Sequence, residues 1–211
     1  MIDHGLNETS REIPTYPHRR DLLDVVAESL AHKNGSSFWG VEVGVLDGDW
    51  SLELYNKFID INQHHDWHRL DIVDPWMHQP HLNADITNVN DDEQDSRYQA
   101  VSKRFREMPH IHVHRMTGVE YALSYISPQD GDALDFVYLD GDHTLETVLQ
   151  ELTLYGYNLA VGGHIMLDDY VTGQYYGVIP AVQSFLQQHK HFSLVGISEA
   201  NNSNVLLRRE W

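Results

Sequence analysis

Residues 38–50 of this 211-residue chain read FWGVEVGVLDGDW and decide its fold class. The stretch begins with a short run rich in β-branched residues, which is typical of a buried strand. Two glycines, Gly44 and Gly48, follow, and apolar residues then recur at helical spacing as far as Asp60. We therefore predict a strand, a glycine turn (residues 44–48) and a helix, which together are the opening unit of an α/β sheet.

The rest of the chain continues this alternation. Further strands are predicted at residues 70–73, 111–116, 135–139 and 164–167, and further helices at residues 22–30, 93–107, 143–159 and 179–188. Such alternation indicates a doubly wound, mostly parallel sheet with helices on both faces. Two closely spaced runs, 192–197 and 204–208, predict an antiparallel pair at the end. In this architecture ligands bind at the carboxyl ends of the strands.

The composition restricts the domain organisation. With 41% hydrophobic and 22% charged residues, the chain is of the ordinary globular kind. We expect one domain, residues 36–211, preceded by an N-terminal arm and helix, residues 1–35, that form a cap or lid. Because no cysteine is present, disulfides and thiolate nucleophiles are excluded.

The charge balance restricts the partners. The chain has 32 Asp and Glu against 14 Lys and Arg, a formal net charge of −18. This sign argues against nucleic acid and against an anionic membrane surface as partners. The sequence has no apolar run long enough to span a bilayer and no visible leader, so we expect a cytoplasmic protein that does not enter membranes.

The glycine turn favours a ligand with positive charge. Its pattern is E-x-G-x-x-x-G, beginning at Glu42, and it differs from the G-x-G-x-x-G pattern that holds a pyrophosphate. Acidic residues in and beside the turn would repel a phosphate. Asp74 ends the second predicted strand, where a carboxylate can accept both hydroxyls of a ribose. Together these features indicate a nucleoside without phosphates, although the glycines could also serve packing alone.

A second acidic group follows the fourth and fifth predicted strands. We call it the acidic rim, and its members are Asp140, Asp142, His143, Asp168 and Asp169. Clustered carboxylates repel one another unless a cation lies between them. Oxygen ligands suit a hard divalent ion such as Mg²⁺ better than zinc, so we predict a magnesium site.

Four segments resemble a known family. They are EVGVLDGDWS (42–51), LDIVDPW (70–76), FVYLDGDH (136–143) and GGHIMLDDY (162–170). In this order they resemble class I S-adenosylmethionine-dependent methyltransferases, and more narrowly the metal-dependent O-methyltransferases that act on catechols and macrolide sugars. The resemblance covers about residues 36–209. It implies a Rossmann-like sheet of seven strands, mostly parallel, with an antiparallel C-terminal hairpin strand.

The resemblance also implies roles for individual residues. Those expected to bind the cofactor are Glu42, Gly44 and Gly48 at its methionine end, Asp74 at the ribose, Thr117 near the adenine, and Asp140. Asp140, Asp168 and Asp169 match the positions of the family's three metal ligands, and His143 matches a general base of the sugar-modifying members. From its place in the long loop after Asp74, Trp76 is expected to cover the adenine.

The expected reaction is transfer of a methyl group from S-adenosyl-L-methionine to a hydroxyl of a sugar, polyketide or phenol. Mg²⁺ would lower the pKa of that hydroxyl, and His143 would remove its proton. Two alternatives stay open: an NAD-dependent oxidoreductase, and a module that binds S-adenosylmethionine without catalysis. The partner is thus a small-molecule acceptor, and a homo-oligomer is compatible with the sequence.

Alternating histidines at His110, His112 and His114 also suggest a zinc or nickel site. Alternation places them on one face of the third predicted strand, with Ile111 and Val113 on the other. That pattern is typical of an exposed edge strand, and the family's sheet order places this strand at an edge. We therefore predict an edge strand here, not a metal site.

Overall fold

The computed structural model describes residues 13–31, 37–59, 68–82, 85–126, 133–171, 177–199 and 203–211. Within these ranges the strands are β1 (Thr15–Tyr16), β2 (Phe38–Val43), β3 (His68–Asp74), β4 (Ile111–Arg115), β5 (Leu134–Leu139), β6 (Leu159–Leu167), β7 (Phe192–Ser198) and β8 (Val205–Arg209). The helices are α1 (Arg19–Ala31), α2 (Asp49–Ile59), α3 (Asp91–Phe105), α4 (Gly118–Tyr125), α5 (Leu145–Asn158) and α6 (Val178–Gln188), with a 3₁₀ turn at Pro80–Leu82.

All the strands join one sheet in the order β1-β7-β8-β6-β5-β2-β3-β4. Strand β8 runs antiparallel between β6 and β7, and the other pairs are parallel. From β2 the chain first adds β3 and β4 on one side, and it then adds β5 and β6 on the other. The predicted α/β sheet with its antiparallel C-terminal strand is confirmed. Its order reverses between β2 and β5, where such sheets bind ligands.

The sheet has eight strands, so the expected number of seven is wrong. The additional strand is β1, which pairs in parallel with β7 through Thr15↔Ile197 and Tyr16↔Ser198. Two residues flanked by prolines show no periodicity, so no strand pattern could be seen there. Residues 1–12 and 32–35 of the predicted arm lie outside the described residues.

The sheet is covered on both faces. One apolar cluster packs helices α4, α5 and α6 against strand residues that include Val41, Val137 and Ile165. The other packs α1, α2 and α3 against residues that include Phe136 and Met166. Burial on both faces explains why the inner strands appear in the sequence as continuous apolar runs. In the described part of the chain, no helix is long and apolar enough to cross a membrane.

Strand β4 lies at the edge of the sheet, as predicted. One of its histidines has a structural role that the edge pattern did not reveal. His114 Nε2 lies 2.6 Å from Oδ1 of Asp71, a fully buried carboxylate. Asp71 also accepts hydrogen bonds from Trp39 Nε1 at 2.7 Å and from the Arg69 guanidinium. A buried carboxylate needs such partners because burial without them is costly.

Candidate active site

A cavity of about 670 Å³ opens at the carboxyl ends of the central strands. Its wall includes the ends of β2, β3, β5 and β6, Thr117 and the start of α4, and part of the loop from Pro75 to Asn88. This is the place that the doubly wound topology predicts for a ligand. The volume lies within the range of about 300–1,000 Å³ usual for small-molecule sites.

The glycine turn brings the backbone of β2 close to that of β5. Gly44 has a φ of +85°, and a Cβ at this position would overlap the backbone carbonyl of Asp140. Gly48 also has a positive φ, but a Cβ there would meet the Phe105 ring at 2.6 Å. Gly44 lines the cavity, whereas Gly48 is required by packing against α3 and does not line it. The predicted contact of Gly48 with the cofactor is therefore not supported.

Glu42 is a buried acid on the cavity wall, with 1% of its surface exposed. Burial raises the pKa of its carboxyl well above the usual value, and the nearby Ser51 hydroxyl offsets this only in part. The carboxylates of Asp140 and Asp74 raise it further. Neither carboxyl oxygen of Glu42 has a hydrogen bond of good distance and angle to any described residue. A ligand ammonium group in the cavity would supply the missing partner.

Asp74 holds the glycine turn in place. Its Oδ2 accepts hydrogen bonds from the backbone N–H groups of Val45 and Leu46, at 2.9 and 3.2 Å, and its Oδ1 accepts one from Trp76 at 2.7 Å. Burial raises the pKa of this carboxyl, and the three backbone hydrogen bonds oppose that effect. Asp74 also lines the cavity, and Oδ1 keeps a lone pair for a further donor.

Trp76 does not reach the cavity. Its side chain is 1% exposed, its ring packs on Tyr98 at 5.3 Å between centroids, and its Nε1 donates to the Leu46 carbonyl at 3.1 Å. The residue has a φ of 39°, which turns the chain inward. The expected cover over the adenine is therefore corrected: Trp76 is a core residue that supports the glycine turn from behind.

Three groups of the acidic rim converge. Asp140, His143 and Asp169 each offer one ligand atom, and these atoms lie within 4.8 Å of one another. His143 Nε2 is 3.2 Å from Asp169 Oδ2 and 3.6 Å from Asp140 Oδ1. Burial raises the pKa of Asp169 to about 6, although His143 opposes the shift. Burial and the neighbouring carboxylates of Asp168 and Asp169 raise the pKa of Asp140. A cation between these groups would relieve both effects.

Asp168 lies beside Asp140, whose pKa it raises, and it has two further partners. Its Oδ1 accepts a hydrogen bond from Asn204 Nδ2 at 2.7 Å, and its Oδ2 lies 3.7 Å from a guanidinium nitrogen of Arg19. The three groups that lie within 4.8 Å of one another thus include Asp140 and Asp169 of the predicted ligand set together with His143, and the ligand role of Asp140, Asp168 and Asp169 stays a prediction. Asn204 belongs to the segment before β8, which sequence spacing could not connect with β6.

Thr117 lies where it was expected, on the cavity wall after β4. It caps α4 in a reciprocal arrangement with Glu120, whose carboxylate accepts the Thr117 backbone N–H at 2.9 Å. Two further cavity residues were missed. Glu151 falls on the apolar stripe of α5 between Val148 and Leu152, a signal that could have identified it. Arg19 comes from the N-terminal arm, where no local pattern marks it.

Comparison with known proteins identifies the family. A model of the methyltransferase domain matches residues 41–170. No curated protein matches the chain in sequence. Among solved structures, the O-methyltransferase NovP has 17% sequence identity and a TM-score of 0.64, with 92% of this chain and 80% of that chain covered.

Two further structures show the same fold. For CalS11, a calicheamicin methyltransferase, the identity is 13%, the TM-score 0.60, and the coverage 90% of this chain and 80% of that one. A putative rRNA methylase from Clostridium thermocellum has 15% sequence identity and a TM-score of 0.63, with 93% of this chain and 97% of that chain covered. The family match includes both the glycine turn and the acidic rim, and it removes the NAD-dependent oxidoreductase alternative. The chain therefore belongs to the methyltransferase-domain family, with the fold of the class I S-adenosylmethionine-dependent enzymes.

Proposed function

We propose that the protein transfers a methyl group from S-adenosylmethionine to a hydroxyl oxygen of a small molecule, assisted by Mg²⁺. The observation that carries the proposal is the convergence of Asp140, His143 and Asp169 at one cavity wall, next to the glycine turn. A cofactor site and an acid–base group thus share one cavity. This is the arrangement that methyl transfer to oxygen requires.

The cofactor portion of the cavity suits a cationic nucleoside. Glu42 offers a buried carboxyl to the ammonium group of the cofactor, and Gly44 lets the ligand approach the backbone. Asp74 faces the same cavity and keeps accepting capacity for a ribose hydroxyl. Thr117 also lines the cavity, and we assign it to the adenine. Carboxylates around the cavity would attract the sulfonium and would repel a pyrophosphate.

The carboxylates of the acidic rim are suitable ligands for Mg²⁺. Asp140 and Asp169 supply carboxylate oxygens, the ligands that this ion prefers, and burial has made both carboxyls costly to ionise without a cation. Together with Asp168, which lies beside Asp140, they are the residues that would hold the metal. When bound, Mg²⁺ would act as a Lewis acid that lowers the pKa of the acceptor hydroxyl.

His143 is the group that we assign to proton removal. Its side chain is 10% exposed, and Nε2 points toward the two carboxylates at the cavity wall. An imidazole can serve as a general base, and neighbouring carboxylates stabilise the imidazolium that results. His143 is therefore positioned to take the hydroxyl proton while the oxygen attacks the methyl carbon.

The small-molecule acceptor is supported by the neighbours and by charge. NovP is described as an O-methyltransferase, and a second CalS11 structure is described as a TDP-rhamnose 3'-O-methyltransferase. One neighbour is a putative rRNA methylase, but a chain with a net charge of −18 is poorly suited to RNA. The sugar, polyketide and phenol classes all stay within the proposal.

Calorimetry tests the cofactor and metal parts separately. S-adenosylhomocysteine is titrated into metal-free protein, and Mg²⁺ is then titrated into the complex. We expect saturable binding in both titrations, with the Mg²⁺ signal lost in Asp169→Asn and kept in the surface control Asp92→Asn. Cofactor binding without a Mg²⁺ signal would remove the metal from the proposal. No cofactor binding by the wild-type protein would refute the proposal as a whole.

Turnover tests the base. Formation of S-adenosylhomocysteine is measured with a panel of sugar, polyketide and phenol acceptors. We expect His143→Ala to lower the rate about 10²- to 10⁴-fold, the usual effect of removing a general base, while cofactor affinity stays at the wild-type level. A variant that turns over at the wild-type rate would show that His143 is not the base.

A further inference from the structure

The negative charge of the cavity wall would repel the α-carboxylate of S-adenosylmethionine. Among the described residues, ten carboxyl side chains and only two arginines line it. The sulfonium and ammonium groups of S-adenosylmethionine suit such a wall, but its α-carboxylate does not. Among so many carboxylates, a further carboxylate is best stabilised where a cation meets it. The two arginines, Arg19 and Arg97, are the candidates.

Arg97 belongs to the ribose end of the cavity. Its guanidinium donates to the Thr87 carbonyl at 2.7 Å and pairs with Glu93 at 3.6 Å, and it affects the pKa of Asp74. Arg19 instead lies beside the acidic rim: Nη1 is 3.3 Å from the Tyr138 hydroxyl, which in turn donates to Asp140 Oδ2 at 3.4 Å. Its charge also partly offsets the burial that raises the pKa of Glu42 and of Asp140, two residues assigned to the methionine end of the cofactor. The position of Arg19 is therefore the one that fits the amino-acid portion of the cofactor.

Contacts with three neighbouring side chains fix the position of the Arg19 guanidinium. Its guanidinium carbon lies 3.9 Å above the Trp50 ring, and Nη1 lies 3.3 Å from the Tyr138 hydroxyl and 3.7 Å from Asp168 Oδ2. Its Nε and Nη2 have no hydrogen-bond partner among the described residues, and 41% of the side chain is exposed. A guanidinium stacked on a ring keeps its edge available for a bidentate bond to a carboxylate.

We propose that Arg19 binds the α-carboxylate of S-adenosylmethionine, with Glu42 facing the ammonium group on the same carbon. The inference rests on the proposed function. A buried carboxyl and a guanidinium beside the glycine turn present opposite charges to a zwitterion whose two charged groups share one carbon. Trp50 and Tyr138 are positioning residues for Arg19.

This role gives the N-terminal arm a part in the cofactor site. Arg19 is the first residue of α1 and lies outside residues 41–170, the range of the family match. Helix α1 is anchored to the sheet by Leu22, Leu23 and Val26, which are almost fully buried. Because the anchored helix fixes the backbone of Arg19, less conformational entropy is lost when the side chain binds a ligand.

The test compares two ligands and three variants in metal-free buffer. The ligands are S-adenosylhomocysteine and its decarboxylated analogue, which lacks only the α-carboxylate. Arg19→Met keeps an apolar stem on Trp50 but removes the charge, and Arg19→Lys keeps a charge without the bidentate edge. The control is Arg20→Met, because Arg20 is 72% exposed and pairs with Glu53 away from the cavity.

We expect Arg19→Met to weaken S-adenosylhomocysteine binding about 10- to 100-fold, the loss typical of a hydrogen bond to a charged group. Its affinity for the decarboxylated analogue should equal that of the wild type. Arg19→Lys should show a smaller loss, and Arg20→Met none. Thermal melts of each variant confirm that the fold is intact.

Two results would overturn the inference while leaving the proposed function in place. In the first, Arg19→Met weakens both ligands equally, which would make Arg19 a structural support of the cavity. In the second, Arg19→Met weakens neither ligand. If the wild-type protein binds no S-adenosylhomocysteine, the proposed function itself fails, and the inference fails with it.

Discussion

Replacing Glu151 by glutamine should stabilise the protein, and more so at higher pH. Glu151 lies on α5 with 3% of its surface exposed, and its carboxyl packs directly against Gly118. The carboxylate of Asp142 is the charge that acts on it, and it repels a second negative charge. Burial, with a smaller contribution from Asp142, raises the pKa of Glu151 from 4.5 to about 8. The folded protein therefore favours the neutral acid.

The magnitude follows from this shift in pKa. At about 1.36 kcal/mol per pKa unit, a change from 4.5 to about 8 corresponds to roughly 5 kcal/mol. Because the folded state binds the proton more tightly, this stabilisation is complete below pH 4.5 and is lost as the pH rises to about 8. Glutamine keeps the shape of the side chain but cannot ionise. The gain from Glu151→Gln should thus grow from near zero at about pH 4.5 to about 2–5 kcal/mol at about pH 8.

Urea unfolding with a chelator present, at several pH values between about 5 and about 8, measures this difference. The control is Glu146→Gln, an exposed residue in the first turn of the same helix, and it should change stability little at any pH. Other buried carboxyls, such as Asp140 and Asp169, titrate in both proteins and cancel in the comparison. A difference between Glu151→Gln and wild type that does not vary with pH would refute the reasoning.

Two further substitutions test the strand ends and the buried carboxylate. Gly44→Ala should abolish S-adenosylhomocysteine binding in calorimetry and lower the melting temperature. The added Cβ would overlap the Asp140 carbonyl, and a φ of +85° alone costs a residue with a side chain about 1–2 kcal/mol. Wild-type affinity in this variant would contradict the close approach of Gly44 to Asp140. Asp71→Asn should destabilise the protein by about 3–5 kcal/mol near neutral pH, because the side chains that donate to this buried carboxylate lose their partner. Since those donors lower the pKa of Asp71, its contribution is present above pH 3.8 and is lost as the pH falls below that value. Urea unfolding at about pH 7 and about pH 3 checks this, and an equal loss at both would exclude the ion pair as the cause.

Much of the fold could be predicted because it depends on local periodicity. The apolar runs of β2, β5 and β6 and the helical stripes between them each appear within one segment, and their alternation restricts the topology to a few choices. Strand β1 could not be predicted in this way. Its two residues form a strand only because β7 offers a free edge beside them.

The acidic rim and the glycine turn were also visible locally, since both lie within a few residues of a strand end. Gly44, Asp140, His143 and Asp169 needed only the rule that parallel strands end at the same side of the sheet. Trp76 was placed wrongly: the residue adopts a positive φ, and its side chain lies in the core instead of the cavity. Backbone conformation of that kind has no signal in residue type.

The sequence by itself determined the class of sheet, the edge where ligands bind and the chemical types of residue found there. Only the tertiary structure decided which side chains meet. Asn204 donates a hydrogen bond to Asp168 from the segment before β8, and Arg19 reaches the cavity from a helix more than a hundred residues away from the rim in the chain. Periodicity specifies which face of an element is buried, but contacts between distant elements depend on how the whole chain packs. Packing leaves no pattern within a single segment.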